Sequence, residues 1–108
     1  MGATKSALFS EDQVQVAAMA KALAHPARIA ILQHLVKLNA CICGDLVQET
    51  GLAQATISQH LKELKAVGLI QGTIEGTSVC YCIQPETWNK YRKMFSEFFK
   101  VLPDMNCC

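Results

Sequence analysis

The chain has 108 residues, 51% hydrophobic and 18% charged, with a formal net charge of +1. That length gives a single domain, 1–108, able to bury a core without staples, and a balance so near zero makes any basic footprint a local one. No apolar run approaches the ~18 residues of a membrane span, and MGATKSALFSEDQ shows no signal-peptide pattern, so a cytoplasmic protein with reduced thiols and no membrane partner is expected.

Ser10 and Gln13 predict a capping box opening the first helix, with Phe9 and Val14 as its hydrophobic staple. Val16, Met19, Ala20 and Leu23 continue that helix at 3.6-residue spacing. Pro26 stops it and suits the first turn of a second helix, whose core face is Ala27, Ile31, Leu35 and Leu38. In GDLVQETGLAQATISQHLKELKAVGLI, a short helix at about 45–50 meets Gly51 as a turn. A further helix begins near Gln54, with Ile57, Leu61 and Leu64 inward and Gly68 as its C-terminal cap. Two short helices joined by a glycine turn are a helix-turn-helix pattern, here at about 45–67. LIQGTIEGTSVCYCI follows as a two-stranded hairpin at about 69–83 with its tip at Glu75-Gly76. Pro85 starts a last helix at about 85–102, where Trp88, Tyr91, Phe95, Phe98 and Leu102 repeat as an a/d seam. A cysteine-bearing tail occupies 103–108.

The solvent face of the second helix of the pair carries Gln54, Ala55, Thr56, Ser58, Gln59, His60 and Lys62. Short polar side chains and amides near a helix N-terminus bond base edges in the major groove, while basic neighbours take phosphates. The bland alternative is a solvated amphipathic helix. The hairpin directly after it favours DNA, because helix-turn-helix plus hairpin is a winged helix.

AKALAHPARIAILQHL, then GDLVQETGLAQATISQHLKELKAVGLI, then a G-x-S-V-x-Y hairpin resembles the ArsR/SmtB family of winged-helix repressors, over about Met19 to Ile83. The resemblance implies a mainly α winged helix-turn-helix fold, a homodimer through the first and last helices, double-stranded operator DNA as partner, and no enzymatic activity. It implies operator release when an inducer binds. Two positions depart from the family pattern: Ala53 stands where a serine often opens the recognition helix, and the hairpin tip carries Glu75 with no Lys or Arg.

All six cysteines come in close pairs, Cys41/Cys43, Cys80/Cys82 and Cys107/Cys108. Partners one residue apart are poorly placed for a bridge, so a disulfide framework is not expected. Soft thiolates select soft ions, and a helix N-terminus favours the thiolate. Cys41 and Cys43, before the helix-turn-helix, resemble the cysteine pair of thiol-sensing family members. Gly44 separates them from the acidic Asp45, a one-residue shift worth ~100° on a helix, so ligand geometry does not carry across. As(III), which by that resemblance takes three sulfurs, or another thiophilic ion, is the expected inducer. No other cofactor is required. Cys107 and Cys108 are the favoured additional ligands, with Cys80 and Cys82 behind them. The alternating strand puts Cys80 and Cys82 outward if Val79, Tyr81 and Ile83 face the core. Cysteines that simply fill space are the bland reading. The resemblance also brings the zinc site that some members of the family build from His, Asp and Glu on the last helix, and this chain does not match it, since Pro85–Leu102 holds no His and no Asp. Alternatives are a thiol redox sensor or a repressor of the same fold that answers no metal. A thiol enzyme lacks both Cys-x-x-Cys and a phosphate-binding loop.

Overall fold

The computed structural model describes residues 8–39, 41, 51–75 and 78–102 (for Gln54, residues 73–75, Ser78 and Val79 the backbone alone). The elements are α1 (Glu11–Ala22), α2 (Pro26–Leu38), α3 (Gln54–Ala66), β1 (Ile70–Glu75), β2 (Ser78–Ile83) and α4 (Pro85–Lys100). This is a mainly α winged helix-turn-helix with one two-stranded hairpin. No helix among the described residues is long and apolar enough to cross a membrane. The short helix expected at about 45–50 lies outside the described residues.

Local chemistry sets the boundaries. Ser10 Oγ accepts from Gln13 N at 3.1 Å and Gln13 Oε1 accepts from Ser10 N at 2.9 Å, which completes the capping box of α1. Glu11 and Asp12 in the first turn and Lys21 in the last complement the helix dipole. His25, extended at φ −157°, caps α2, its Nδ1 accepting from Ala27 N at 3.0 Å, and Pro26 occupies the first turn. Asn39 ends α2 in the left-handed region at φ 51°, a conformation its short polar side chain tolerates.

Gly51 has φ +74°, as the turn before α3 requires. At the other end of α3, Gly68 N donates to Lys65 O at 3.0 Å and Leu69 N donates to Leu64 O at 3.2 Å. That paired pattern is a Schellman cap, with Leu64 and Leu69 together in the core. Gly68 adopts φ +84°, and a Cβ there would meet Thr87 Cγ2 of α4 at 3.3 Å.

β1 and β2 pair antiparallel with Ile70 opposite Ile83, Thr73 opposite Cys80 and Glu75 opposite Ser78. Glu75 therefore belongs to the strand and not to the expected tip. Gln84 N donates to Leu69 O at 2.9 Å, closing the base of the wing where α4 begins.

One apolar cluster unites these elements: Met19 from α1, Ile31, Leu32 and Leu35 from α2, Ile57, Leu61 and Leu64 from α3, and Leu69 and Ile70 at the wing. Leu38, expected on the inner face of α2, is instead exposed, because the buried stripe runs through Ile31, Leu32 and Leu35. α4 divides along its length. Trp88, Tyr91 and Phe95 pack on the core, whereas Phe98 and Phe99 are exposed. Leu102, the last residue of the expected seam, lies beyond the helix end at Lys100 and is exposed.

Candidate nucleic-acid interface and thiol site

α3 presents one buried and one open face. Ile57, Leu61 and Leu64 are sealed in the core. Ala55, Thr56, Ser58, Gln59 and Lys62 are exposed, and Gln54 opens the helix. Gln59 Nε2 donates to Glu63 Oε2 at 3.1 Å, one turn along. A helix with short polar groups near its N-terminus and an exposed lysine behind them has the donors, acceptors and charge for a DNA groove. Ala53 holds the N-cap position without a side-chain hydrogen bond, so the first amides of α3 have no protein cap from it.

His60 does not share the open face expected for it. It is 6% exposed and forms part of the interior wall of α3. The correction has a simple cause. Positions 57, 60, 61 and 64 form an i, i+3, i+4, i+7 stripe, so His60 completes the buried row. Its Nδ1 accepts from Arg28 Nε at 3.0 Å, and Arg28 Nη1 donates to Ala22 O at 3.1 Å. The His25 ring lies 4.4 Å from the His60 ring, centroid to centroid, at 53°. Arg28 thus ties the C-terminal end of α1 and its own helix α2 to α3. Burial first, then His25 and Arg28, hold the His60 pKa below its ordinary value. No local sequence signal marks Arg28 for this role, because its acceptor His60 lies 32 positions away.

The thiols are arranged differently from expectation. Cys41, exposed just beyond the end of α2, forms a disulfide with Cys82 on β2, and their Cα atoms are 4.3 Å apart. Cys80 is 1% exposed and is also disulfide-bonded. Two expectations are corrected here. Cys80 is buried and Cys82 half-buried, with α2 lying against β2, so neither faces open solvent. Cys41, Cys80 and Cys82 also form disulfides. Cysteines one residue apart are poorly placed to bridge each other, and the observed bond instead joins two pairs on different elements. Cys43, Cys107 and Cys108 lie outside the described residues. Among the described residues no group of three or more His, Cys, Asp or Glu is gathered as a metal site. The donor chemistry nonetheless suits a soft ion once the bond is reduced, since Cys41 and Cys82 then offer two adjacent sulfurs. A cavity beside the bond is lined by Leu35, Asn39, Cys41, Cys82, Pro85 and Trp88.

A helix-turn-helix domain profile matches residues 23–73. The HTH-type transcriptional regulator YgaV of Escherichia coli (strain K12) is 34% identical over 86 residues, covering 80% of this chain and 87% of that protein. The HTH-type transcriptional repressor SmtB of Mycobacterium tuberculosis is 43% identical over 61 residues, which span 56% of this chain and 44% of that longer protein. Among solved structures, a possible transcriptional regulator for arsenical resistance superposes with a TM-score of 0.66 at 25% identity, covering 73% of this chain and 81% of that one. These relatives are regulators of transcription and not enzymes. A match that runs along most of both chains, together with a recognition helix and wing in sequence, shows that the protein belongs to the ArsR/SmtB family of DNA-binding transcriptional regulators.

Proposed function

We propose that the protein is a homodimeric cytoplasmic repressor whose affinity for operator DNA is set by the chemical state of Cys41 and Cys82. The observation that carries this reading is the disulfide between them. It joins the segment leading into the helix-turn-helix to the wing, so making or breaking it changes how the two DNA-facing parts are held together. Cys41 is exposed, so reagents in solution reach the bond.

The bond favours redox control. Peroxide oxidises the two thiols to the disulfide, taking up two electrons and two protons and leaving as two waters. A dithiol reductant reverses the step. Control by As(III) or another thiophilic ion is a second reading supported by the same pair. In the reduced protein Cys41 and Cys82 supply two sulfurs, and Cys43, Cys107 and Cys108 are the candidates for a third. The structural similarity to a possible regulator for arsenical resistance is consistent with it. Oxidation removes the ligands, so the two inputs compete for one site.

Dimer formation through α1 and α4 is supported by the apolar surface there. Phe98, Phe99 and Val101 are exposed on and just past α4, and an open groove between the helices is lined by Val16, Ala17, Ala20 and Met94. Operator sites then follow the two-fold symmetry of the pair, with one α3 in each half-site.

The test is fluorescence anisotropy with a labelled duplex selected from a random pool by the reduced protein. Peroxide alone should shift affinity by 5- to 150-fold, the range of ordinary couplings, and dithiothreitol should restore it. Arsenite added to the reduced protein tests the second reading. No response of wild type to peroxide, arsenite, antimonite, cadmium or zinc rejects thiol control, and an unchanged response in Cys82→Ser rejects this pair as its seat.

A further inference from the structure

Arg28, His60 and His25 form a cluster that neither the DNA-facing surface nor the thiols use. Arg28 is an obligate cation at any relevant pH. It donates through Nε to His60 Nδ1 at 3.0 Å and through Nη1 to Ala22 O at 3.1 Å. The second acceptor is a carbonyl at the negative end of α1, where a guanidinium is well placed. The first acceptor is a ring nitrogen that accepts only while it carries no proton. A proton on Nδ1 would remove the acceptor and set a second cation against Arg28 in a site only 6% exposed. His25 crowds the same ring from the α1–α2 turn at 4.4 Å. Among the described residues, the titratable side chains that act on His60 are His25 from the turn and Arg28 from α2. On α3 itself Glu63, one turn along, is engaged by Gln59.

We infer that neutral His60 is a positioning residue that pins the recognition helix to α1 and α2 through Arg28, so that protonating it releases α3 and weakens operator binding. This rests on α3 being the helix that reads DNA. The geometry carries the argument: one hydrogen bond links the buried face of α3 to an arginine that also holds the end of α1. The depressed pKa of His60, caused first by burial and then by His25 and Arg28, agrees in direction. The sign is diagnostic. A histidine on a DNA-facing surface gains affinity for phosphates when it is protonated. The buried His60 loses affinity on acidification.

The experiment follows operator binding from pH 8 to 5.5 at constant salt, with the full-length protein in a fixed thiol state. The probe is a fluorescein-labelled duplex selected from a random pool by the protein at pH 8. Wild-type affinity should be flat near pH 8 and fall by up to about tenfold per pH unit once the single linked proton is taken up. His60→Asn replaces Nδ1 with a non-titrating amide oxygen, so it should bind at pH 8 like wild type and lose the acid slope. His25→Asn keeps an N-cap residue and removes one opposing ring, so its fall should begin at higher pH than in wild type. Proton NMR of the His60 ring in wild type should show the same midpoint as the binding curve. Wild-type affinity that stays flat or rises on acidification overturns the inference, as does an unchanged slope in His60→Asn. If His60→Asn does not fold, the His25→Asn shift and the NMR midpoint decide. Lys62→Ala at pH 8 checks the premise separately. Unchanged affinity there shows that α3 is not the reading helix, and the inference falls with it by a route distinct from a flat pH profile.

Discussion

Cys41 and Cys82 are joined across the gap between the end of α2 and the second wing strand, at a sequence separation of 41. A cross-link closing a loop of that length removes conformational entropy from the unfolded chain. The chain-entropy relation gives about 4 kcal/mol. The oxidised wild type should therefore unfold at higher denaturant than the oxidised Cys82→Ser variant, and the difference should vanish under dithiothreitol. Equal midpoints in the oxidised state would show that the bond does not stabilise the fold.

The exposed face of α3 makes a separable prediction for DNA. Lys62 is exposed behind the polar N-terminal turns, where a lysine is placed to meet a phosphate if α3 enters the groove. Lys62→Ala should weaken binding about equally across operator variants and reduce the salt slope by about one unit. Thr56→Ala or Gln59→Ala should cost about 1–3 kcal/mol on the selected operator and relax sequence preference at one position. Titration of wild type and variants at several salt concentrations separates the two kinds of loss. A Lys62→Ala salt slope equal to that of wild type rejects the phosphate contact.

Ala53 offers a test on the folded state alone. It stands at the N-cap of α3 with φ −66° and ψ 152°, an extended geometry that suits a capping side chain, and makes no cap hydrogen bond. Ala53→Ser should accept an amide hydrogen bond from the first turn and raise stability by about 1 kcal/mol. Urea unfolding of the two proteins in the same thiol state measures it, and a lower midpoint in the variant would contradict the geometry.

The sequence was informative where the controlling chemistry is local. Ser10 with Gln13, Pro26 and Gly68 each fix a helix end through neighbours within a few residues, and each appears in its expected role. The stripe Ile57, Leu61, Leu64 likewise needs only helical periodicity. His60 obeys the same period, and its polar side chain alone put it on the wrong face. The donor that makes its burial tolerable, Arg28, lies 32 positions away on another helix. The meeting of Cys41 with Cys82 depends on how α2 seats against β2. No spacing within either cysteine pair encodes that contact.

The same histidine sets a pH dependence of stability. Burial, then His25 and Arg28, lower the folded-state pKa of His60 from 6.5. Above 6.5 the ring is neutral in both the folded and unfolded chain, so folding takes up or releases no proton at this site. As pH falls below 6.5 the unfolded chain binds a proton that the folded chain resists, and stability declines. The decline continues until the folded-state pKa is passed and then levels off. Wild type should accordingly lose stability on acidification through this window, while His60→Asn, which keeps an oxygen acceptor for Arg28 and has no proton to bind, should lose less. Urea midpoints measured at half-unit steps from pH 7.5 to 5 test this, and parallel curves for the two proteins would show that His60 contributes nothing to the acid response.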